Sequence, residues 1–356
     1  MPLKGYGVLQ VEPTDHCNLQ CKMCRPHRDS WSEIHGVSKG FLSIDLWRKI
    51  VDDFVEQRIE FDHIIFQWLG DPLLHPKMDE LLCVAQQNLF QQVQYLRVDS
   101  NMILLDDKRM KRIVESSQHG APLLLVASID AYSPEVYTRV KGKDALQVVR
   151  RNLRRFLRFR KLVGKQSSIN LQVQFVVQPG NAHETVSFLQ YWMDLFSCQG
   201  GGAWHDEIMF KRLSVDGGAE GQAEADRLYV QSVLEKGIRS GLQNGVKICT
   251  WEERPWQRDD DHQVSRTACP GLWYTPVIRH DGSLMMCCAD LQGELNLGSL
   301  KKHPFLDLWN GELAVRKRKA HLNGQFNGVC EHCGGINWYQ LPTEAKPTVQ
   351  ILNTVN

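Results

Sequence analysis

Three closely spaced cysteines constrain this chain more than any other feature. Cys17, Cys21 and Cys24 lie in HCNLQCKMC, directly after the first predicted strand. Thiolates are the preferred ligands of iron–sulfur clusters, and a four-iron cluster normally takes four of them. A set of three leaves one iron open to a substrate or cofactor, as in catalytic rather than structural metal sites. The alternative is a zinc site completed by His16 or His27.

The composition is that of an ordinary globular protein. The chain has 356 residues, with 42 Lys and Arg against 41 Asp and Glu, so no net field draws it to nucleic acid. It shows no signal peptide and no apolar run of the roughly 18 residues that span a bilayer, so we expect a cytoplasmic protein without membrane contact. In such a chain, eleven cysteines favour metal binding or catalysis over disulfides.

Short apolar runs alternate with amphipathic stretches through the first part of the chain. One amphipathic stretch begins at Ser43, a plausible helix N-cap, and another begins at His183. This alternation predicts an α/β fold with a parallel sheet wrapped by helices. The predicted strands are Val8–Glu12, His63–Trp68, Val93–Asp99, Leu123–Ile129, Asn170–Val177 and Glu207–Leu213.

The pattern changes after this region, which we take as residues 1–216. Residues 217–264 form a polar, charged stretch that we predict to be a helical linker. Residues 265–356 contain five of the eleven cysteines and are predicted to be a separate, metal-organised unit. Within that unit Asp281-Gly282 is predicted to form the turn of a hairpin.

A second cysteine set lies in this C-terminal region. Cys269, Cys287, Cys330 and Cys333 supply four thiolates, which would complete the ligands of a closed cluster. Structural zinc is the alternative, because a CxxC pair also suits zinc. Cys288 adjoins a predicted ligand, and strand alternation predicts that it points to the opposite side, as a substitute ligand or a buried thiol.

The first motif resembles the signature of the radical S-adenosylmethionine (SAM) superfamily, and the region of six strands is similar to its partial (β/α)6 TIM-like barrel. In that family SAM chelates the open iron, and an electron splits SAM into methionine and a 5′-deoxyadenosyl radical. The resemblance implies a SAM-binding 4Fe-4S cluster on Cys17, Cys21 and Cys24. It also implies a flavodoxin- or ferredoxin-type electron donor.

The segment LGDPLLHP resembles the family's GGEP segment, which contacts the SAM amino group. Gly70, Asp71 and Pro72 match it, with Asp in place of Glu. Asn101 lies where the family often has TNG. The alternative is that Asp71-Pro72 only forms a turn.

Two further positions resemble the family's SAM site. Ser128 and Asp130 match its serine and acidic residue near the SAM ribose and carboxylate, and Lys141 lies where the family often has an arginine. Asp130 is also a plausible cap for the helix that follows it. These residues lie at the carboxyl ends of strands, where the sites of barrel enzymes are found.

The C-terminal cysteines resemble the Twitch domain, the shortened relative of SPASM, which houses an auxiliary 4Fe-4S cluster. The predicted architecture is therefore a partial barrel followed by a smaller α+β Twitch/SPASM-like domain. The cysteine spacing is similar to that of radical SAM aminocyclitol dehydrogenases. The resemblance implies oxidation of a carbinol-type carbon in a small molecule, a sugar or aminocyclitol, with the auxiliary cluster as electron acceptor.

Other functions remain open at this stage. Arg212 or Lys211, at the end of the sixth strand, is a candidate to steer the proton or bind substrate, and the alternative is an ordinary surface charge. A peptide maturase is a second hypothesis, less favoured because the first strand already begins at Val8. A radical epimerase is a third, with the Cys249 or Cys288 thiol as hydrogen donor. The non-enzymatic alternative is a zinc-stabilised binding protein.

Overall fold

The fold is taken from a computed structural model. It describes residues 7–24, 39–118, 120–164, 167–199, 206–214, 218–250, 268–331 and 333. Three parts of the sequence-based interpretation lie outside this range, namely His27, residues 251–264 of the predicted linker, and the tail from residue 334.

The centre of the sheet consists of six parallel strands that lie side by side in chain order. Each corresponds to a predicted strand and differs from it by two residues or fewer at either end, so that part of the prediction is confirmed. The strands are β1 Gly7–Val11, β2 Phe61–Phe66, β3 Val93–Ser100, β4 Leu123–Ser128, β5 Ile169–Val177 and β6 Glu207–Arg212.

Helices connect consecutive strands and cover one face of the sheet. The first begins where the sequence predicts, because the Ser43 hydroxyl accepts a hydrogen bond from the backbone N–H of Leu46 and satisfies a free donor of the first turn. The helices are α1 Ile44–Glu56, α2 Met78–Asn88, α3 Asp107–Ser116, α4 Pro134–Lys141, α5 Leu146–Val163 and α6 Thr185–Gln199.

The two faces of this sheet differ in chemistry. Along β3, Leu96 and Val98 are buried in the core under the helices, while Tyr95 and Arg97 alternate with them on the inner face. Successive side chains of a strand point to opposite faces of the sheet, so every second residue lies on the same face. The Gln172 side chain of β5 donates a hydrogen bond to Glu207 of β6 on the same inner face. The interior of the partial barrel is therefore lined with polar and charged groups.

The predicted linker contains strands as well as helix. α7 Gly218–Tyr229 continues into a short π-helical segment and is followed by a hairpin of β7 Gly241–Gln243 and β8 Val246–Cys249. β8 pairs in parallel with β6 and extends the sheet at that edge. The predicted helical linker therefore also contains a strand hairpin, and this hairpin satisfies the free backbone groups of the β6 edge.

The C-terminal strands extend the opposite edge of the same sheet. β9 Val277–Ile278 pairs in parallel with β1, and β10 Ser283–Met285 then pairs with both β9 and β11 Asn296–Ser299. Gly282 has φ 85° at the predicted turn, a conformation that glycine adopts without strain. The hairpin is as predicted.

The C-terminal unit is thus joined to the barrel by backbone pairing instead of standing apart from it. The helices that accompany it are α8 Gly271–Tyr274, α9 Phe305–Trp309 and α10 Glu312–Leu322. The exact limits of the three predicted regions stay a prediction. No helix in the described part of the chain is both long and apolar enough to cross a membrane.

Candidate active site

The first cysteine set lies in the loop that follows β1. The backbone N–H of Cys24 donates to the carbonyl of Cys21 at 3.0 Å, which closes a turn between two of the three thiols. Burial raises the pKa of Cys17 to about 11 and also raises the pKa of Cys21. Both thiols are therefore protonated near neutral pH, and metal binding would displace their protons.

The carboxyl end of α4 contacts the loop that carries the first cysteine set. The backbone N–H of Gln20 donates to the Lys141 carbonyl, and the N–H of Lys22 donates to the Val140 carbonyl. Gly142 follows with φ 76°, and a Cβ placed there would lie 2.8 Å from the Gln20 carbonyl oxygen. The loop is therefore held against the helix by backbone contacts that only glycine allows.

The segment after β2 packs on the other side of the cysteine loop. A Cβ on Gly70 would lie 2.3 Å from the Thr14 carbonyl oxygen and 2.6 Å from that of His16. The backbone N–H of Asp71 donates to the His16 carbonyl at 2.8 Å. The glycine at this position is therefore required by the close approach of the two backbones.

The Asp71 carboxylate is buried and accepts hydrogen bonds from within the protein. Its oxygens lie 3.0 and 3.1 Å from the Ser100 hydroxyl, 2.8 Å from the backbone N of Asn101 and 3.0 Å from that of Leu73. Burial raises the pKa of Asp71, and these donors oppose that effect. Asp71 thus links the ends of β2 and β3, while its contact with SAM stays a prediction.

Asn101 bridges from β3 to the cysteine loop. Its amide nitrogen donates to the Asn18 side chain at 2.7 Å, and its amide oxygen accepts from the backbone N–H of Ile103. The predicted residue is therefore brought beside the first cysteine set. The structure supplies Asn18 as a partner that the sequence interpretation did not single out.

Ser128, Asp130 and Lys141 form one group beneath the cysteine loop, in which Asp130 and Lys141 are buried and Ser128 is half-buried. The Lys141 ammonium donates to the Asp130 carboxylate and, at 3.0 Å, to the Ser128 hydroxyl. Burial acts to lower the pKa of Lys141, but the charge of the Asp130 carboxylate and its hydrogen bond with Lys141 outweigh that effect and raise the pKa. The three predicted residues are brought together, with Lys141 close enough to affect the cysteine loop.

The second cysteine set comes from three places in the C-terminal unit. Cys269 lies at its start, Cys287 follows β10, and Cys330 and Cys333 follow α10. Cys330 is buried, and burial raises the pKa of its thiol; charges on Cys287, Cys333 and Cys269 add to this rise. Cys287, Cys333 and Cys269 are thus close enough to Cys330 to affect its pKa, and the ligand set stays a prediction. Among the described residues, no group of three or more His, Cys, Asp or Glu side chains is already arranged to hold a metal ion.

Cys288 departs from the prediction. β10 ends at Met285, so strand alternation no longer applies to the two adjacent cysteines. A hydrogen bond between the two thiols raises the pKa of Cys287 and lowers that of Cys288. The two thiols therefore face each other instead of opposite sides.

Arg212 is turned away from the candidate site. Its guanidinium pairs with Asp226 of α7 at 2.7 Å, and both side chains are buried. The preceding residue, Lys211, is the one on the inner face, and a role of Arg212 in the reaction stays a prediction. Cys249 lies opposite Met209 at the β6 edge, and burial raises the pKa of its thiol.

Two groups near the site were not found by sequence analysis. Trp68 donates its indole N–H to the Cys288 carbonyl, and Arg279 lies over the Trp68 ring. Glu12, at the end of β1, pairs with the His280 ring at 2.9 Å. Neither group has a local sequence signal, since the partners are more than 200 residues apart.

Comparison with known proteins places these features in a family. Residues 11–167 match the radical SAM superfamily, and residues 269–334 match SPASM, an iron–sulfur cluster-binding domain. The chain has a radical SAM domain and a SPASM domain. These domains imply 4Fe-4S clusters and SAM as cofactors, and both cysteine sets lie inside the matched ranges. Whether the second domain is of the shorter Twitch type stays a prediction.

A curated relative matches part of this radical SAM protein. It is the tungsten-containing aldehyde ferredoxin oxidoreductase cofactor-modifying protein of Pyrococcus furiosus, 25% identical over 187 residues. The match covers 52% of this chain and 48% of the relative, so it spans about half the length of that protein.

Solved structures share the fold over most of this radical SAM protein. SuiB of Streptococcus suis bound to S-adenosylmethionine aligns with a TM-score of 0.56 and 13% identity, covering 89% of this chain and 68% of SuiB. Histidine-tagged anSMEcpe with bound AdoMet aligns with a TM-score of 0.57 and 15% identity, covering 88% of this chain and 80% of anSMEcpe. The partial-barrel prediction is confirmed.

The donor sets fit the implied clusters. The first set offers three thiols on one loop, and the second offers four thiols whose charges affect one another. A set of three is suited to a site that keeps an open position, and a set of four to a closed one. Thiol chemistry and number therefore agree with the families matched.

Proposed function

We propose that this protein is a radical SAM oxidoreductase that removes hydrogen from a carbinol-type carbon of a sugar or aminocyclitol. Cys17, Cys21 and Cys24 would hold the SAM-binding 4Fe-4S cluster, whose chemistry is the one-electron reduction that splits SAM into methionine and a 5′-deoxyadenosyl radical. Cys269, Cys287, Cys330 and Cys333 would hold an auxiliary 4Fe-4S cluster, which would supply an acceptor for one electron. The substrate would lose a hydrogen atom to the radical, that electron to the acceptor, and a proton to solvent.

The observation that carries the proposal is the contact between the two cysteine regions. Trp68 follows β2 two residues before Gly70 of the candidate SAM segment, and its indole donates to the Cys288 carbonyl at 3.0 Å. Trp68 also packs with Val277 and Met285 of the C-terminal strands. Oxidation of a substrate radical requires an electron acceptor near the barrel. A reaction in which the substrate radical regains a hydrogen atom, such as epimerisation, does not require one.

SAM is held by residues of the barrel. Gly70, Asp71 and Pro72 form the edge beside the cysteine loop, with Asn101 next to them. Ser128, Asp130 and Lys141 form the base of the same region. The donors and acceptors of these residues already pair with one another. The same residues therefore hold the cysteine loop in place and would also orient SAM.

The polar interior supports a hydroxylated substrate. His63 and Tyr95 stack at 4.6 Å between ring centres, and Arg97 binds Asp99 through two contacts of 2.6 Å. A pocket built for an apolar substrate would carry few charged groups. Hydroxyl groups can both donate to and accept from such a lining.

A peptide maturase is the second candidate. SuiB has been solved bound to precursor peptide SuiA, with a TM-score of 0.54 to this chain, and native anSMEcpe has been solved with the Cp18Cys peptide. Proteins of similar fold therefore bind peptides. A peptide maturase would use the same radical chemistry, with a peptide as the substrate.

Anaerobic purification and product analysis test the proposal. We expect iron and sulfide for one cluster per cysteine set, 5′-deoxyadenosine after reduction with SAM, and a sugar or aminocyclitol product two hydrogens lighter. Cys330→Ala should still form 5′-deoxyadenosine but not the oxidised product, and the matched control Cys198→Ala, at an exposed thiol, should do both.

Other outcomes would contradict the proposal. Stoichiometric zinc in colourless protein that does not cleave SAM would exclude the radical reaction. A product of unchanged skeleton carrying one solvent deuterium would indicate epimerisation. Modification of a peptide, with sugars and aminocyclitols untouched, would favour the maturase.

A further inference from the structure

Lys211 lies on the inner face of the barrel at the end of β6. Its neighbours Phe210 and Arg212 face the other way, into the core and towards α7. On the adjacent strand β5 its register partner is Val176. Lys211 therefore projects towards the polar interior at the end where the candidate SAM residues gather.

The positive charge of Lys211 is not compensated by its neighbours. The charged groups that face it are Arg97, Asp99 and Asp130. Asp99 is engaged by Arg97 through both of its oxygens, and Asp130 is engaged by Lys141. Among the described residues, no carboxylate forms an ion pair with Lys211. Burial, together with the charge of Arg97, lowers the pKa of Lys211.

Gln174 provides a second donor without an acceptor. It lies on the inner face of β5, opposite Met209 and two residues before the register partner of Lys211. Its side chain is only 6% exposed, and its amide nitrogen has no hydrogen-bond partner among the described residues. A buried donor left unpaired costs about 1–3 kcal/mol, so an acceptor is expected at this place when the site is filled.

The opposite polarity is found on the inner face of β1 and just after it. The side-chain oxygens Gln10 Oε1 and Glu12 Oε1 are buried acceptors without a donor in the described part of the chain. The inner face thus has unpaired donors near the carboxyl ends of β5 and β6, at Gln174 and Lys211, and unpaired acceptors on β1 and nearer the start of β5, at Asn170 and Gln172. A ligand that satisfies both groups must accept hydrogen bonds strongly at one end and donate hydrogen bonds at the other.

We propose that Lys211 and Gln174 bind the carboxylate of a polyhydroxylated substrate, so that the substrate is a sugar acid. The hydroxyl groups of the same molecule donate to Gln10 and Glu12. This inference rests on the proposed function and narrows it, because a cationic aminocyclitol would place an ammonium against Lys211. A carboxylate on lysine forms a charge-assisted hydrogen bond, which is stronger than a neutral one.

Calorimetric titration of the full-length, cluster-loaded protein with SAM present tests this site. The probes are D-gluconate, the uncharged polyol D-glucitol and the cationic D-glucosamine. We expect gluconate to bind more tightly than the other two. Lys211→Met should weaken gluconate binding by about tenfold, the loss of one charge-assisted hydrogen bond. Lys211→Arg should retain it, and Gln174→Leu should weaken it less.

Two controls separate the possible sources of an effect. Lys247→Met removes an exposed lysine that pairs with Glu207, and it should leave gluconate binding unchanged. SAM affinity should be equal in wild-type protein and Lys211→Met. If Lys211→Met loses SAM binding instead, Lys211 serves the carboxylate of SAM and the sugar-acid site is wrong.

The remaining outcomes distinguish this inference from the proposed function. Equal binding of gluconate to wild-type protein and Lys211→Met, or equal binding of gluconate and glucitol, would overturn the anion site whatever the oxidation assay shows. Gluconate binding that depends on Lys211, without any oxidised product from carbinol substrates, would overturn the proposed oxidation only.

Discussion

The indole nitrogen of Trp68 lies 3.0 Å from the backbone carbonyl oxygen of Cys288 and donates a hydrogen bond to it. The two residues are separated by 220 positions in the chain. Trp68 belongs to the loop that leads into Gly70 and Asp71, whereas Cys288 adjoins the predicted auxiliary ligand Cys287. One side chain thus connects the segments that carry the two candidate cofactor sites.

Replacing Trp68 by Phe should loosen that connection. The Cys288 carbonyl would lose its donor, which costs about 1–3 kcal/mol for a buried group. We expect a lower free energy of unfolding and a changed electron paramagnetic resonance signal of the auxiliary cluster. Trp47→Phe is the matched control, since the Trp47 indole also donates to a backbone carbonyl, that of Leu81, at 3.0 Å. A signal altered equally by both variants would contradict a specific connection.

Gly70→Ala should disturb the first cysteine loop. The added Cβ would meet the carbonyl oxygens of Thr14 and His16 at 2.3 and 2.6 Å, and neither backbone can yield without moving the loop. Overpacking of this kind costs about 1–3 kcal/mol. Iron content after reconstitution should fall by one cluster. Gly180→Ala, whose Cβ would meet only side chains, Val140 at 3.2 Å and Arg139 at 3.9 Å, should keep full iron content.

Breaking the Asp130–Lys141 pair should destabilise the fold strongly. The side chains are 0% and 2% exposed, so Asp130→Asn or Lys141→Met leaves an unpaired buried charge at a cost of about 3–5 kcal/mol. The double variant Asp130→Asn/Lys141→Met should recover part of this loss. Urea unfolding measures all three, and single variants as stable as wild type would contradict the prediction.

The surface pair Asp107–Arg155 provides the comparison for that measurement. Its side chains are 63% and 49% exposed, so solvent screens the interaction. Asp107→Asn should change the free energy of unfolding by about 0–1 kcal/mol. A large effect there would show that burial is not what distinguishes the two pairs.

The Glu12–His280 pair should make stability depend on pH. Burial acts to lower the pKa of His280, but the hydrogen bond and charge of Glu12 raise it above 6.5. The stabilisation is therefore fully present below pH 6.5, the ordinary value, and is lost as the pH rises through the raised pKa of the folded protein. Unfolding by urea on both sides of this range measures the loss. Glu12→Gln should flatten the dependence, and an unchanged slope would contradict the assignment.

Local sequence patterns were sufficient for much of the fold and for the candidate cofactor ligands. Alternating apolar runs located β1 to β6, and the Ser43 cap located the start of α1, because both depend on neighbouring residues. The spacing of Cys17, Cys21 and Cys24 indicated an open cluster for the same reason. Asp281-Gly282 marked a hairpin turn from two residues alone.

Other features depend on partners far away in the chain. The pairing of β9 with β1 arises because a distant segment satisfies an open strand edge. The contact of Trp68 with Cys288 arises because an indole donor meets a backbone carbonyl far away in the chain. Nothing in any of these segments specifies its partner. The orientation of Arg212 towards Asp226, with Lys211 directed inward, was settled by the packing of α7.

The sequence by itself therefore determined the strands and the two sets of thiols, since these follow from residue type and short spacing, and its resemblance to a known family indicated the class of chemistry. Only the tertiary structure decided that the C-terminal unit joins the barrel sheet and that Lys211 and Gln174 share its inner face. Burial, unpaired donors and charge compensation are properties of groups assembled from several strands, and they come into existence only when those strands pack.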